Sequence, residues 1–265
     1  MMKHILIIWF CLLNMYPYAL YAEDANAQQY QDSILKIAQS MPGTLPKLTY
    51  LRDMAYRHQY APYNKTFSTA LYQEACIQKN IIYEICNEPN GCDWKTVKRY
   101  ASQVIKVIRK YDKKAIIVVG TPTWSQLGSD GTHNEVADNP IKGYKNIMYS
   151  LHFYANEWSH NRYLPAKLAY ARKKGIAVIV TEFGMSAASG DGGISKAYTG
   201  KWLTRLNKAN VSYFCWSLSN KNESASLLAS WTSKTSRWKT SELSEAGRYI
   251  RAKYRARKKA LGSRA

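Results

Sequence analysis

Two glutamates of the chain stand where paired acid and base chemistry needs them. Glu88 lies in Asn87-Glu88-Pro89, just after the apolar run Ile81 to Ile85, and Glu182 lies in Thr181-Glu182-Phe183-Gly184, just after the run Ile176 to Val180. Hydrolysing a glycosidic bond takes an acid that protonates the departing oxygen and a carboxylate on the opposite side of the anomeric carbon. Carboxylates delivered by two neighbouring strand ends supply both. One must be protonated and the other ionised before reaction, so their surroundings have to separate two intrinsically similar pKa values. Either motif alone carries little, since most glutamates are surface charges.

The elements that present these residues read as strands alternating with helices. Ile81 to Ile85 has no polar/apolar alternation and is rich in β-branched and aromatic side chains, the signature of a strand buried on both faces. Pro89 has no N–H for a ladder and biases Glu88 to extended geometry, which places that carboxylate at the strand's C-terminal end. Asp93 is an N-cap candidate, and Trp94, Val97, Ala101, Val104, Ile105 and Ile108 form the stripe of a helix ending near Tyr111. Further strands are predicted over 115–119, 146–154, 176–181 and 211–217, and helices over 162–174, 194–209 and 242–257. This rhythm of five strands implies right-handed βαβ crossovers and a parallel sheet. Upstream, 32–39 and 67–79 read as short helices, and no convincing buried strand appears between Glu23 and Phe67.

With 265 residues, 46% of them hydrophobic, the chain can bury a sizeable core. Its formal charge of +20 favours polyanions at long range, yet no basic run is interleaved with a nucleic-acid motif, so no specific nucleic-acid partner is expected. Residues 1–22 resemble a secretory signal: a cationic start, an apolar stretch from Ile5 to Leu13, then small residues. Asn14 and Pro17 make it a poor membrane span, so a secreted chain with no membrane association after cleavage is expected. Cys76, Cys86, Cys92 and Cys215 remain in the mature chain. Their spacing fits neither a zinc site nor a dense disulfide scaffold, and leaves disulfides and buried thiols both open.

Taken jointly, Asn-Glu-Pro after one strand, His152-Phe-Tyr154 on a second, Thr-Glu-Phe-Gly after a third and Trp216-Ser-Leu-Ser-Asn-Lys-Asn-Glu223 on a last strand resemble glycoside hydrolase family 5, specifically its bacterial-type endoglucanases. The resemblance runs from about residue 67 to 257. It implies an α/β fold of the TIM (β/α)8-barrel type, incomplete, with strands four to eight recognisable. The corresponding division is a signal peptide over 1–22, a divergent N-terminal segment over 23–66, a partial-barrel catalytic domain over 67–258 and a basic tail over 259–265. By the same resemblance Glu88 is the acid/base and Glu182 the nucleophile, Asn87 holds the sugar's 2-hydroxyl, and His152 and Tyr154 flank the carboxylates with the tyrosine orienting Glu182. Trp216 stacks under the donor sugar, Lys221 and Glu223 bind its hydroxyls, and Trp124 is the acceptor-side platform. Family members also carry an arginine beside the nucleophile and a histidine from earlier strands. Here Arg52, Arg57 and His58 are of the right types without the right context. The function implied is a secreted, monomeric, retaining endo-β-1,4-glucanase acting on a β-1,4-linked polysaccharide with no metal and no organic cofactor. The alternative is a truncated, catalytically impaired member that only binds β-glucan.

Overall fold

The β-branched runs become strands, at nearly the residues where the pattern puts them. In the computed structural model the described residues are 81–128 and 133–262, with the backbone of Leu6–Trp9 and the helical positions Ser33, Lys36, Ile37 and Ser40. The helix expected over 67–79, with Arg52, Arg57, His58 and Cys76, lies outside them. Ser33, Lys36 and Ile37 are helical within the segment expected to be. The chain divides into two compact units, one of Met1–Cys86 with Ala101–Val118, the other of Asn87–Tyr100 with Val119–Ala265.

In the first unit β1 (Leu6–Trp9), β2 (Ile81–Glu84) and β3 (Ile116–Val119) pair in parallel in that order. Leu6 faces Ile81 and Trp9 faces Glu84, so the segment resembling a secretory leader also supplies a strand along the edge of β2. An unbroken apolar, β-branched run suits either use. Tyr83, Ile85, Ile117 and Val118 are fully buried, as a strand covered on both faces demands. Glu84, the last residue of β2, is buried. Helix α1 (Trp94–Tyr111) begins at the expected cap, where Asp93 Oδ1 accepts the Thr96 N–H at 2.8 Å.

The second unit contains β4 (Ile147–Tyr154), β5 (Val178–Gly184) and β6 (Tyr213–Cys215), again parallel and paired in sequence. Between them run α2 (Trp158–Lys173) and α3 (Lys196–Ala209), and α4 (Glu245–Gly262) follows. α2 starts four residues before the predicted 162, because its N-cap, Glu157, makes no side-chain cap bond that could mark the boundary in sequence. Phe153 stacks on Trp202 of α3 with ring centroids 4.1 Å apart, and on Phe183 at 5.2 Å. The Trp202 indole N–H, otherwise stranded in that core, donates to Asn161 Oδ1 at 2.9 Å. Along β4 and β5 the register runs Tyr149 to Val178 and Ser150 to Ile179, then shifts by one residue so that His152 faces Glu182. Such an irregularity re-aims side chains at a strand end. Here it brings a titratable pair into register.

Candidate active site

Successive residues of a strand point to opposite faces, so the stacking of Phe153 and Phe183 on the helix side turns their neighbours His152, Tyr154 and Glu182 the other way. His152 is 2% exposed and Glu182 6%. The His152 Nδ1 lies 2.8 Å from Glu88 Oε1 and 4.0 Å from Glu182 Oε2, while its Nε2 lies 2.8 Å from Thr181 Oγ1. The Tyr154 hydroxyl donates to Glu182 Oε1 at 2.8 Å. Burial, then the charge of Glu182 itself, pushes the Tyr154 phenol well up, which keeps it a neutral donor. The ring of Tyr154 also lies over Gly184, where a Cβ would run into it.

Donor atoms of Glu88, His152 and Glu182 all fall within 4.8 Å of one another. Among the described residues this is the one cluster close enough to hold a metal ion. Its atoms already satisfy each other: the imidazole bridges toward both carboxylates and Tyr154 occupies one oxygen of Glu182. Burial raises the Glu182 carboxyl above the usual glutamate range, and the charge of Glu88 adds to this. His152 and the Tyr154 hydroxyl pull the other way without cancelling it. That direction opposes the ionised state a nucleophile needs, and no arginine is found beside Glu182 among the described residues.

Asn87 precedes Glu88 on the loop after β2. Its backbone carbonyl accepts the Ser125 hydroxyl at 2.7 Å, and its side-chain Oδ1 is buried with no protein donor. Ser125 closes a turn in which Thr123, Trp124 and Ser125 all take positive φ, 59°, 51° and 58°. The turn is strained for residues with side chains. It is pinned by the Trp124 N–H donating to the Pro89 carbonyl at 3.2 Å, and it leaves the indole 49% exposed beside the Glu88 loop. A cavity of about 530 Å³ opens here, lined by Glu88, Trp124, Gln126, His152, Tyr154 and His160 among others.

Sequence reasoning picked four of those six. His160 is missed because a histidine in the first turn of a helix has no motif around it. Its Nδ1 accepts the Tyr154 N–H at 2.8 Å, its Nε2 meets the Gln126 amide at 3.1 Å, and burial depresses its pKa so that it stays neutral. Lys167 is missed as well: buried under α2, it donates to the carbonyls of Gln126 and Gly128 at 3.1 and 3.4 Å and so fixes the loop that carries Trp124.

The remaining candidates stand apart from that cavity. Trp216 follows β6, its N–H donating to the Phe183 carbonyl at 2.8 Å next to Glu182, with the side chain 43% exposed and a cis peptide to Ser217. Lys221 and Glu223 form an ion pair at 2.6 Å on the following loop. That loop is tied to the one after β5 through Ser224 Oγ donating to Asp191 Oδ1 at 2.6 Å. Among the described residues no helix is long and apolar enough to cross a membrane.

The cellulase model of glycosyl hydrolase family 5 matches residues 50–222. An endoglucanase of Clostridium saccharobutylicum is 41% identical over 194 residues, covering 72% of this chain and 42% of that protein. Endoglucanase 5 of Pectobacterium carotovorum is 38% identical over 199 residues, covering 74% and 38%. The chain thus spans about two fifths of the length of these curated relatives. Among solved structures, the catalytic domain of a Thermobifida fusca endoglucanase in complex with cellotetraose aligns with a TM-score of 0.62 at 28% identity, covering 87% of this chain and 76% of that one. The parallel βα repeat of the described residues is accordingly part of a (β/α)8 barrel. A family match over most of the chain, with relatives near 40% identity over about seven tenths of it, makes this chain a member of glycosyl hydrolase family 5, the cellulase family.

Proposed function

We propose that the chain is a secreted retaining endo-β-1,4-glucanase that cuts internal bonds of a β-1,4-linked glucan with Glu182 as nucleophile and Glu88 as acid/base. The observation that carries this reading is the approach of Glu88, His152 and Glu182 within 4.8 Å at the ends of parallel strands. Carboxyl groups about 5 to 5.5 Å apart belong to double displacement, whereas inversion needs roughly 6.5 to 9.5 Å to admit a water.

In the first step the Glu182 carboxylate bonds to the anomeric carbon, the glycosidic C–O bond breaks, and Glu88 gives its proton to the departing oxygen. In the second, water deprotonated by Glu88 displaces Glu182 and restores the original configuration. His152 serves both states of Glu88. When Glu88 is protonated, it donates to Nδ1 and the imidazole Nε2–H donates to Thr181. When Glu88 is ionised, Nδ1–H donates to it and the Thr181 hydroxyl turns to donate to Nε2. The buried, unpartnered Oδ1 of Asn87 suits a sugar hydroxyl, and exposed Trp124 and Trp216 suit the C–H faces of pyranose rings.

Aryl cellobiosides test the roles. Glu182→Ala abolishes turnover of every substrate, because none avoids the nucleophile, while Glu88→Ala spares those with good leaving groups, which depart unprotonated. Equal loss for both variants on activated and unactivated substrates rules the assignment out. N-terminal sequencing of chain recovered from the medium tests secretion, with cleavage after Ala22 or after Ala27 expected.

A second reading, β-glucan binding without turnover, is favoured by the raised Glu182 carboxyl. It predicts retention on cellulose by a chain inactive at every pH.

A further inference from the structure

Another concavity of the second unit lies away from the carboxylates, along α3. It is an open trough of about 830 Å³ that continues into a smaller one of about 250 Å³ sharing Gly200, Thr204 and Lys253. Small residues, Ala197, Gly200 and Thr204 of α3 with Ala256 and Ala260 of α4, keep its floor low. Six cations rim it: Arg172, Lys201, Arg205, Lys208, Lys253 and Arg257. No acidic residue lines it, and none of the six forms an ion pair with a carboxylate among the described residues. The nearby Glu245 is taken by Lys196 at 2.7 Å.

This charge is not a by-product of helix formation. Lys201 with Arg205 and Lys253 with Arg257 are like charges at i, i+4, a spacing that destabilises a helix. These two pairs facing one trough hold their place at a cost that a bound polyanion removes.

We propose that this trough is a docking surface for an acidic polysaccharide, a chain of uronate sugars. Its chemistry excludes two other polyanions. Single-stranded nucleic acid is held by stacking bases on free aromatic faces. Here the aromatic residue that lines the trough, Tyr213, is engaged by the protein itself, its ring against Phe183 and Tyr254 and its hydroxyl donating to Asn207 Oδ1. The rings nearby on the same helices carry the protein's own cations: Lys201 sits 5.1 Å from the Tyr198 ring centroid, Lys253 5.1 Å from Tyr249, and Arg205 5.2 Å from Trp202. An anionic membrane surface calls for a large apolar residue free to insert beside the cations, and the two that line the trough are already packed in the protein: Leu203 is 3% exposed, and the Tyr213 ring lies against Phe183 and Tyr254. What remains are ammonium and guanidinium groups in rows, the partners of carboxylates. Only the choice of a polysaccharide rests on the glucanase reading. A matrix that carries uronates beside β-glucan would then raise the local concentration of the catalytic unit on its substrate.

The test measures binding of the full chain to immobilised polygalacturonate, with hydroxyethylcellulose as neutral control and single-stranded DNA as competing polyanion, at low and high salt. The triple variant Lys201→Gln/Arg205→Gln/Lys253→Gln weakens polygalacturonate binding about tenfold and flattens its salt dependence. Removing equal charge elsewhere, with Lys106→Gln/Lys110→Gln/Lys113→Gln, changes binding by less than about twofold. Absence of binding by the parent chain, equal loss in both triple variants, or tighter binding to DNA than to polygalacturonate overturns the proposal. Loss of glucanase activity with intact polygalacturonate binding defeats the proposed function and leaves this surface standing.

Discussion

In the carboxylate pocket every titratable group is held by a neighbour: Glu88 by His152, His152 by Thr181, Glu182 by Tyr154. Along the α3 trough of the same unit, none of the six cations has a carboxylate partner among the described residues, and three of them rest only on aromatic rings. The pocket spends burial and hydrogen bonds on fixing a few atoms to a few tenths of an ångström. The trough keeps flexible cations in water, where they attract at long range without fixing a geometry. Fixed charges suit making and breaking bonds, and loose ones suit holding a polymer whose register does not matter.

The comparison breaks most visibly at Glu182. Glu182→Gln keeps the shape and removes the proposed nucleophile, so turnover falls by a factor on the order of 10⁴. The same change stabilises the fold at neutral pH. Folding raises the Glu182 pKa, so the unfolded chain loses that proton first. Stability conferred by the protonated form is therefore fully present below the unfolded pKa, about 4.3, and lost as pH rises through the folded value. Melting curves should show the variant more stable than the parent at pH 7 and equal to it well below pH 4.3. A less stable variant at pH 7 means that an unseen positive partner neutralises Glu182.

Thr181→Val probes the next tie. It removes the hydroxyl that follows the imidazole through both states of Glu88, and kcat drops about tenfold with KM unchanged. A rise in KM with kcat unchanged would show that Thr181 serves substrate binding instead.

The smallest effects set two cations against each other. Lys167→Met takes a buried ammonium from the carbonyls of Gln126 and Gly128 and costs about 2 kcal/mol by denaturant titration. Arg205→Gln relieves an i, i+4 repulsion in the trough and gains about 0.3 kcal/mol. Destabilisation by Arg205→Gln of the same size as Lys167→Met erases the contrast between held and loose charge.

The elements were legible where one principle dominated. Buried β-branched runs marked β2, β3 and β5, Asp93 marked the start of α1, and the carboxylates after Ile85 and Val180 marked the strand ends. The one-residue register shift that faces Glu182 to His152 left no trace in the pattern, because it depends on how two strands pair and not on either strand's own sequence. Nor could the turn at Thr123 to Ser125 be read: three consecutive positive φ values fall on residues that avoid them, and neither glycine nor asparagine announces the turn. His160, Gln126 and Lys167 took their places through tertiary contacts that no local spacing encodes. The trough was foreshadowed only as net charge, since it joins residues from α2, α3 and α4.

Tyr154 lies across Gly184 so closely that no side chain fits beneath its ring, while its hydroxyl holds Glu182 two residues earlier. The three positions are therefore bound in their history as well as in space. A descendant lineage cannot gain even a methyl group at position 184 until the tyrosine has gone, and once it has gone the glutamate loses its anchor. Drift through this corner of the molecule has an order, and alanine at 184 beside a retained tyrosine is a pairing that should be missing from any functional relative.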